Sequence, residues 1–175
     1  MPGIDDPRFE RAVILVCAHN DEHAMGIAVN RPVEGLTIPS LLSKLGVEAN
    51  IDIPDDDVLF GGPVERERGF VLHTDDYAAA QSTITVAHGI GLTATREVLE
   101  AMGDKLLRPR RSVLALGYAG WDGGQLEHEL QHNVWLTCDA DESLIFGADH
   151  DHKWGLALSK IGASPDRLST LTGRA

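Results

Sequence analysis

The sequence predicts an α+β fold, and three observations carry that prediction. Its apolar runs are short, the longest being Ala12 to Ala18, and most are bounded by glycine or proline, as strands are. Helical periodicities occur singly between groups of such runs instead of following every strand, which argues against a regular doubly wound sheet. The 175 residues, 43% of them apolar, suffice for one globular domain spanning 1–175 with a core of its own. No internal repeat, low-complexity tract or linker marks a boundary.

Taken in order, AVILVCA (12–18) reads as a buried strand and GIAVN (26–30) as its hairpin partner across a polar loop. Ile38, Leu41, Leu42 and Leu45 fall at helical spacing, with Gly46 placed to close that helix. An acidic loop follows over 47–57. Short strands are expected at 58–60, 69–73 and 82–86, then a helix capped by Thr93 with Val98, Leu99, Met102 and Leu106 on one face. SVLALGYAG (112–120) reads as a buried strand running into a glycine-rich turn. A short helix carrying HELQH, strands at 134–138 and 143–146, and a helix from about Lys153 complete the chain. Trp154, Ala157, Leu158 and Ile161 form the expected core stripe of that last helix.

Charge narrows the function classes. A formal net charge of −12 repels phosphate backbones and anionic lipid surfaces. The one dense basic run, Arg108-Pro109-Arg110-Arg111, reads as a solvated loop before a strand, so direct DNA binding is not expected. No charged leader precedes an apolar signal segment, and no apolar run approaches the ~20 residues of a membrane span, so the expected compartment is the cytoplasm and no membrane partner is expected. Cys17 and Cys138 each sit in an apolar stretch and read as small buried hydrophobes.

The stretch LEHELQHNVW (126–135) spells the His-Glu-x-x-His of zinc peptidases, in which two imidazoles one turn apart hold the metal and the glutamate activates its water. At ~100° per residue, however, Leu126 and Leu130 define the buried stripe, and His128 and His132 fall nearly opposite to it. We read the pair as a solvated face and expect no metal or other cofactor; a zinc metalloprotease is the least favoured alternative. In His150-Asp151-His152, Asp149 or Asp151 is suited to cap the last helix or to sit at its positive end.

The ordered series DPRFERAVILVCAHNDEHAMGIAVNRP (6–32), LFGGPV (59–64), RGFVLH (68–73), GIGLT (89–93), LGYAGWDGGQLEHEL (116–130) and NVWLT (133–137) resembles the YqgE/AlgH family of bacterial proteins over essentially the whole chain. The resemblance implies a bent, bifurcated mixed β-sheet forming a pseudo-barrel with helices packed around it. It implies no catalytic residues: the family's common label, transcriptional regulator, rests on genetics, and its biochemical activity is undetermined. It also implies a strand-forming leader before the segment matching Met1-Pro2-Gly3, so that the start is assigned late or an edge strand is missing here. The HELQH spelling is not part of the family pattern.

Among the motif residues, Gly61, Gly62, Gly117, Gly120, Gly123 and Gly124 suit turns, sheet corners or close backbone approach. His19, Asn30, Arg31, Asp122 and Gln125 end or follow strands and, with Gly61 and Gly62, form the candidate binding set. His73 and Glu127 occupy similar positions, and Arg11 and Glu127 could pair as structural charges. No nucleophile–base–orienter set can be read from these residues. The favoured reading is therefore a non-enzymatic regulator or adaptor that takes a protein or small-molecule partner through the motif loops. The alternative is a small hydrolase with a polar pocket around His19, Asn30, Arg31 and Asp122.

Overall fold

The computed structural model describes residues 6–165 and residue 168; the expectation attached to Met1-Pro2-Gly3 lies outside them. After a 3-10 turn at Pro7–Phe9, the elements run β1 (Ile14–His19), β2 (His23–Ala28), β3 (Pro32–Thr37), α1 (Ile38–Lys44), β4 (Asp57–Phe60), β5 (Val64–Thr74), β6 (Thr83–Ala87) and β7 (Ile90–Thr93). They continue with α2 (Arg96–Met102), β8 (Ser112–Asp122), α3 (Gln125–Gln131), α4 (Glu142–Phe146) and α5 (Lys153–Lys160). No helix among the described residues is long and apolar enough to cross a membrane.

The main sheet has the order β1-β2-β8-β5-β7-β6 and curls into a nearly closed antiparallel barrel, with β3 and β4 branching off it. Its two edge strands, β1 and β6, come into contact across a seam. β8 is the branch point. One of its edges pairs with β5, while the other takes β4 in parallel at Ala115 and Leu116 and then β2 in antiparallel from Ala119 to Asp122.

Alternation along the strands sorts residues into the barrel interior or the helix-covered outside. On β5, Phe70 and Leu72 point inward to a core shared with Ile27, Leu59 and Leu92, and Val71 points outward to α1 and α2. On β8, Val113 and Ala115 face in and Leu114 faces out, but beyond Gly117 the phase inverts: Tyr118 faces in, and Ala119 and Trp121 pack outward against Leu126 of α3. A one-residue slip of this kind is what a bulge produces. In the β5–β8 ladder, residues 65–68 stand opposite Gly117 alone. Gly117 has φ +73°, and a Cβ there would lie 2.3 Å from the Gly62 carbonyl oxygen.

Several element assignments are corrected. β3 and β7 are strands where none is expected from sequence. Thr93 closes β7, and the residue preceding α2 is Thr95; that helix stops at Met102, leaving Leu106 90% exposed. Residues 143–146 belong to helix α4, because the Asp141 side chain accepts the Leu144 N–H at 2.7 Å and caps a helical turn. Residues 134–138 are irregular and are held by Trp135, which packs edge-on against Phe9 and Trp121. In α5 Leu158 is buried, but Ile161 is 42% exposed, and the side chain sunk deepest is Lys153.

Candidate functional site

One end of the barrel is filled by the inner core and the other is open. The open end is a cavity of about 770 Å³ to which β1, β2, β5, β6, β7 and β8 all contribute side chains. Its floor is apolar, with Met25, Phe70, Leu92 and Tyr118 continuing the inner core outward. Phe70 and Tyr118 meet edge to face at 5.7 Å. A cavity of this size, with an apolar floor and few polar groups, has the character of a small-molecule site.

The bulge on β5 equips the rim. Glu65 takes φ +46°, a conformation costly for a residue with a side chain, and it and Arg68 both reach the mouth. Arg68 Nη1 donates to Glu65 Oε2 at 3.3 Å, and its guanidinium lies 5.2 Å from the centre of the Phe70 ring. The neighbouring Arg66 turns away, over Phe60. Two residues past β7, which pairs with β5, Thr95 lines the same part of the cavity, and its Oγ1 is buried with no hydrogen-bond partner among the described residues. Such a hydroxyl is costly to leave unpaired.

Of the candidate binding set, Asp122 alone lines this mouth, opposite His23 in the β2–β8 register; the motif glycine Gly120 lines it too. Asn30 is consumed by the backbone: its Oδ1 accepts the Val13 N–H at 2.8 Å and its Nδ2 donates to the Arg11 carbonyl at 2.9 Å. Arg31 donates to the Glu10 carbonyl, and His19 pairs with Glu127. That partner, after the glutamate's own backbone N–H, holds the Glu127 carboxyl below its usual range. Arg11 lies over Trp154, so the expected Arg11–Glu127 pair does not form. Gly61 and Gly62 press against the backbone of residues 117–119 at the sheet fork. Gln125 accepts the Asp122 N–H and donates to Glu129. A polar pocket around His19, Asn30, Arg31 and Asp122 is therefore not assembled. His73 is fully buried, its ring nitrogens meeting the Thr74 carbonyl and the Thr93 hydroxyl.

In HELQH, the imidazoles of His128 and His132 are exposed, on the face the helix phase predicts. Glu129 turns inward instead. It accepts from the indole N–H of Trp121 at 2.9 Å and of Trp135 at 2.7 Å, and from Gln125 at 2.9 Å. Three of the carboxylate's roughly four acceptor sites are thus taken, and they turn it toward Trp121 and Trp135 and not toward the exposed imidazoles. The expectation that Asp149 or Asp151 caps α5 is also corrected: His152 holds the cap position, and Asp149 binds its ring.

The mouth residues missed from sequence are Glu65, Arg68, Phe70, Thr95 and Tyr118. Arg68, Phe70 and Tyr118 lie inside motifs quoted for the resemblance, but nothing local shows that a bulge turns them toward one cavity.

A barrel forked at a long central strand, filled at one end and open at the other, defines a class of helix-wrapped α+β barrels. The family model described as DUF179, AlgH-like, matches residues 1–166, and the chain belongs to this family. A UPF0301 protein of Caulobacter vibrioides is 62% identical over 175 residues, covering all of this chain and 90% of that one. A second, from Afipia carboxidovorans, is 50% identical over 182 residues, covering all of this chain and 86% of that one. Among solved structures, the AlgH protein of Pseudomonas aeruginosa superposes with a TM-score of 0.76 at 36% identity, covering all of this chain and 92% of that one. A Corynebacterium diphtheriae protein shares the fold, with a TM-score of 0.68 at 17% identity over 90% of this chain and 81% of that one.

Proposed function

We propose that this protein is a cytoplasmic, non-enzymatic regulator or adaptor that responds to a ligand held in the barrel mouth and acts through another protein. The observation that supports the binding site is convergence: six strands contribute to one cavity whose rim carries a strained glutamate, an arginine and an unpartnered buried hydroxyl. The non-enzymatic reading is supported by how the polar motif residues are spent, since Asn30, Arg31, Gln125 and Glu129 hold backbone or tryptophan partners. Action through a protein is favoured over DNA because Arg110 Nη2 donates to both carboxylate oxygens of Glu142 and Asp56 lines a surface hollow with Arg108 and Arg111. One of the run's three arginines is thus ion-paired, against a formal net charge of −12 for the chain.

Gly120 provides the test. It is exposed in the mouth, and an added Cβ would meet nothing closer than Tyr118 Cε2 at 3.4 Å, so Gly120→Leu can project into the cavity without a backbone clash at its Cβ. Native mass spectrometry and pull-down from the source cells should show a retained ligand or partner with the wild type and none with Gly120→Leu at equal thermal stability. Identical retention by both proteins would remove the mouth from consideration.

A further inference from the structure

We infer that the ligand of the barrel mouth is a small amphipathic carboxylic acid, its apolar body on the Phe70–Tyr118–Leu92 floor and its carboxylate on Arg68. This inference rests on the mouth being the binding site and adds the chemical class. Arg68 spends one N–H on Glu65 at 3.3 Å and lies over Phe70; among the described residues its other N–H groups have no protein partner. Its guanidinium is thus steered by stacking and one ion pair while still presenting donors to the cavity, the arrangement that suits a carboxylate. Thr95 also lines the cavity, and a turn about its χ1 would bring its hydroxyl, buried and unpartnered where it lies, to the same acid.

Two acids share the mouth and do not reverse this charge preference. Glu65 is occupied by Arg68. Asp122 stands four residues beyond Tyr118 on β8, roughly 13 Å along the strand, at the far rim beside His23. An acid with a short apolar body therefore meets Arg68 at one end, sharing its guanidinium with Glu65, and Met25 and Leu92 beneath it, with Asp122 at the far rim.

Three probes of one shape separate the possibilities: 3-phenylpropionate, 3-phenylpropanamide and 3-phenylpropylamine, titrated into the full chain and followed by amide chemical shifts. The acid should bind about tenfold or more tightly than the amide, the margin one charge-assisted pair supports. It should move the amides of residues 64–70 and 118–120, and the amine should bind least. Arg68→Gln should abolish the margin between acid and amide while leaving amide binding unchanged. Thr95→Val, whose side chain makes no cap hydrogen bond to lose, should weaken the acid severalfold in a folded protein. If the amide or amine binds the mouth as well as the acid, the anion assignment fails and the mouth stands as a site. If no probe shifts the mouth residues while the protein remains folded, the binding site itself is refuted.

Discussion

Glu129 and His128 are adjacent in sequence and opposite in consequence. Glu129 satisfies two indole N–H groups inside a cluster shared with α3, so Glu129→Ala leaves both donors unpaired and should cost about 2–3 kcal/mol, with a changed tryptophan emission. His128→Ala removes an exposed ring and should stay within about 0.5 kcal/mol of wild type. Denaturant melts of the two variants check this, and the reverse order would restore a central role to the histidines. The outward phase of His128 was legible because a helical period is local. The inward role of Glu129 was not, since its partners lie eight residues before it and six after, across a change of element.

At the scale of elements, α5 is pinned to the barrel by a cation. Lys153, 1% exposed, donates to the carbonyls of Val29 at 2.7 Å and Ile145 at 2.9 Å, and burial pushes its amine down to about 8. An unfolded lysine keeps its proton to about 10.5, so between about 8 and 10.5 the unfolded chain binds more protons and folding stability rises with pH, by on the order of 3 kcal/mol. Cys17 acts in the opposite sense. Burial lifts its thiol from 9.0 to about 12, the folded state retains that proton longer, and stability falls above pH 9. Urea unfolding from pH 7.5 to 10.5 should show the rise flattened in Lys153→Met and steepened in Cys17→Ala; parallel profiles for all three proteins would disprove the assignment. Sequence periodicity located α5 but placed Ile161 in its core stripe, because the carbonyl that draws Lys153 inward belongs to a residue 124 positions earlier. β3 and β7 escaped notice for a related reason: PVEGLT and IGLT are too short or too polar to alternate visibly, and they exist because the sheet offers them a partner.

For the molecule as a whole, the fork at β8 decides whether a barrel forms. Gly117→Ala forces a side chain into the left-handed region and 2.3 Å from a carbonyl oxygen, and should cost about 3 kcal/mol or more or prevent folding. Gly120→Leu, three residues along the same strand, should be tolerated; equal thermal stability of the two variants would contradict the fork. The glycines by themselves suited turns, sheet corners or close backbone approach alike, and it was through the family resemblance that the bent, forked barrel was legible. The site was not, because it exists only where residues 65–68 step out of register and carry Glu65 and Arg68 round to face β7. The seam between β1 and β6 has its own consequence. A hoop left unsewn along one line can change its girth by sliding side chains instead of breaking a ladder. Along that line the wall is closed by side-chain packing alone, so it is there that the circumference can yield at the least cost in hydrogen bonds.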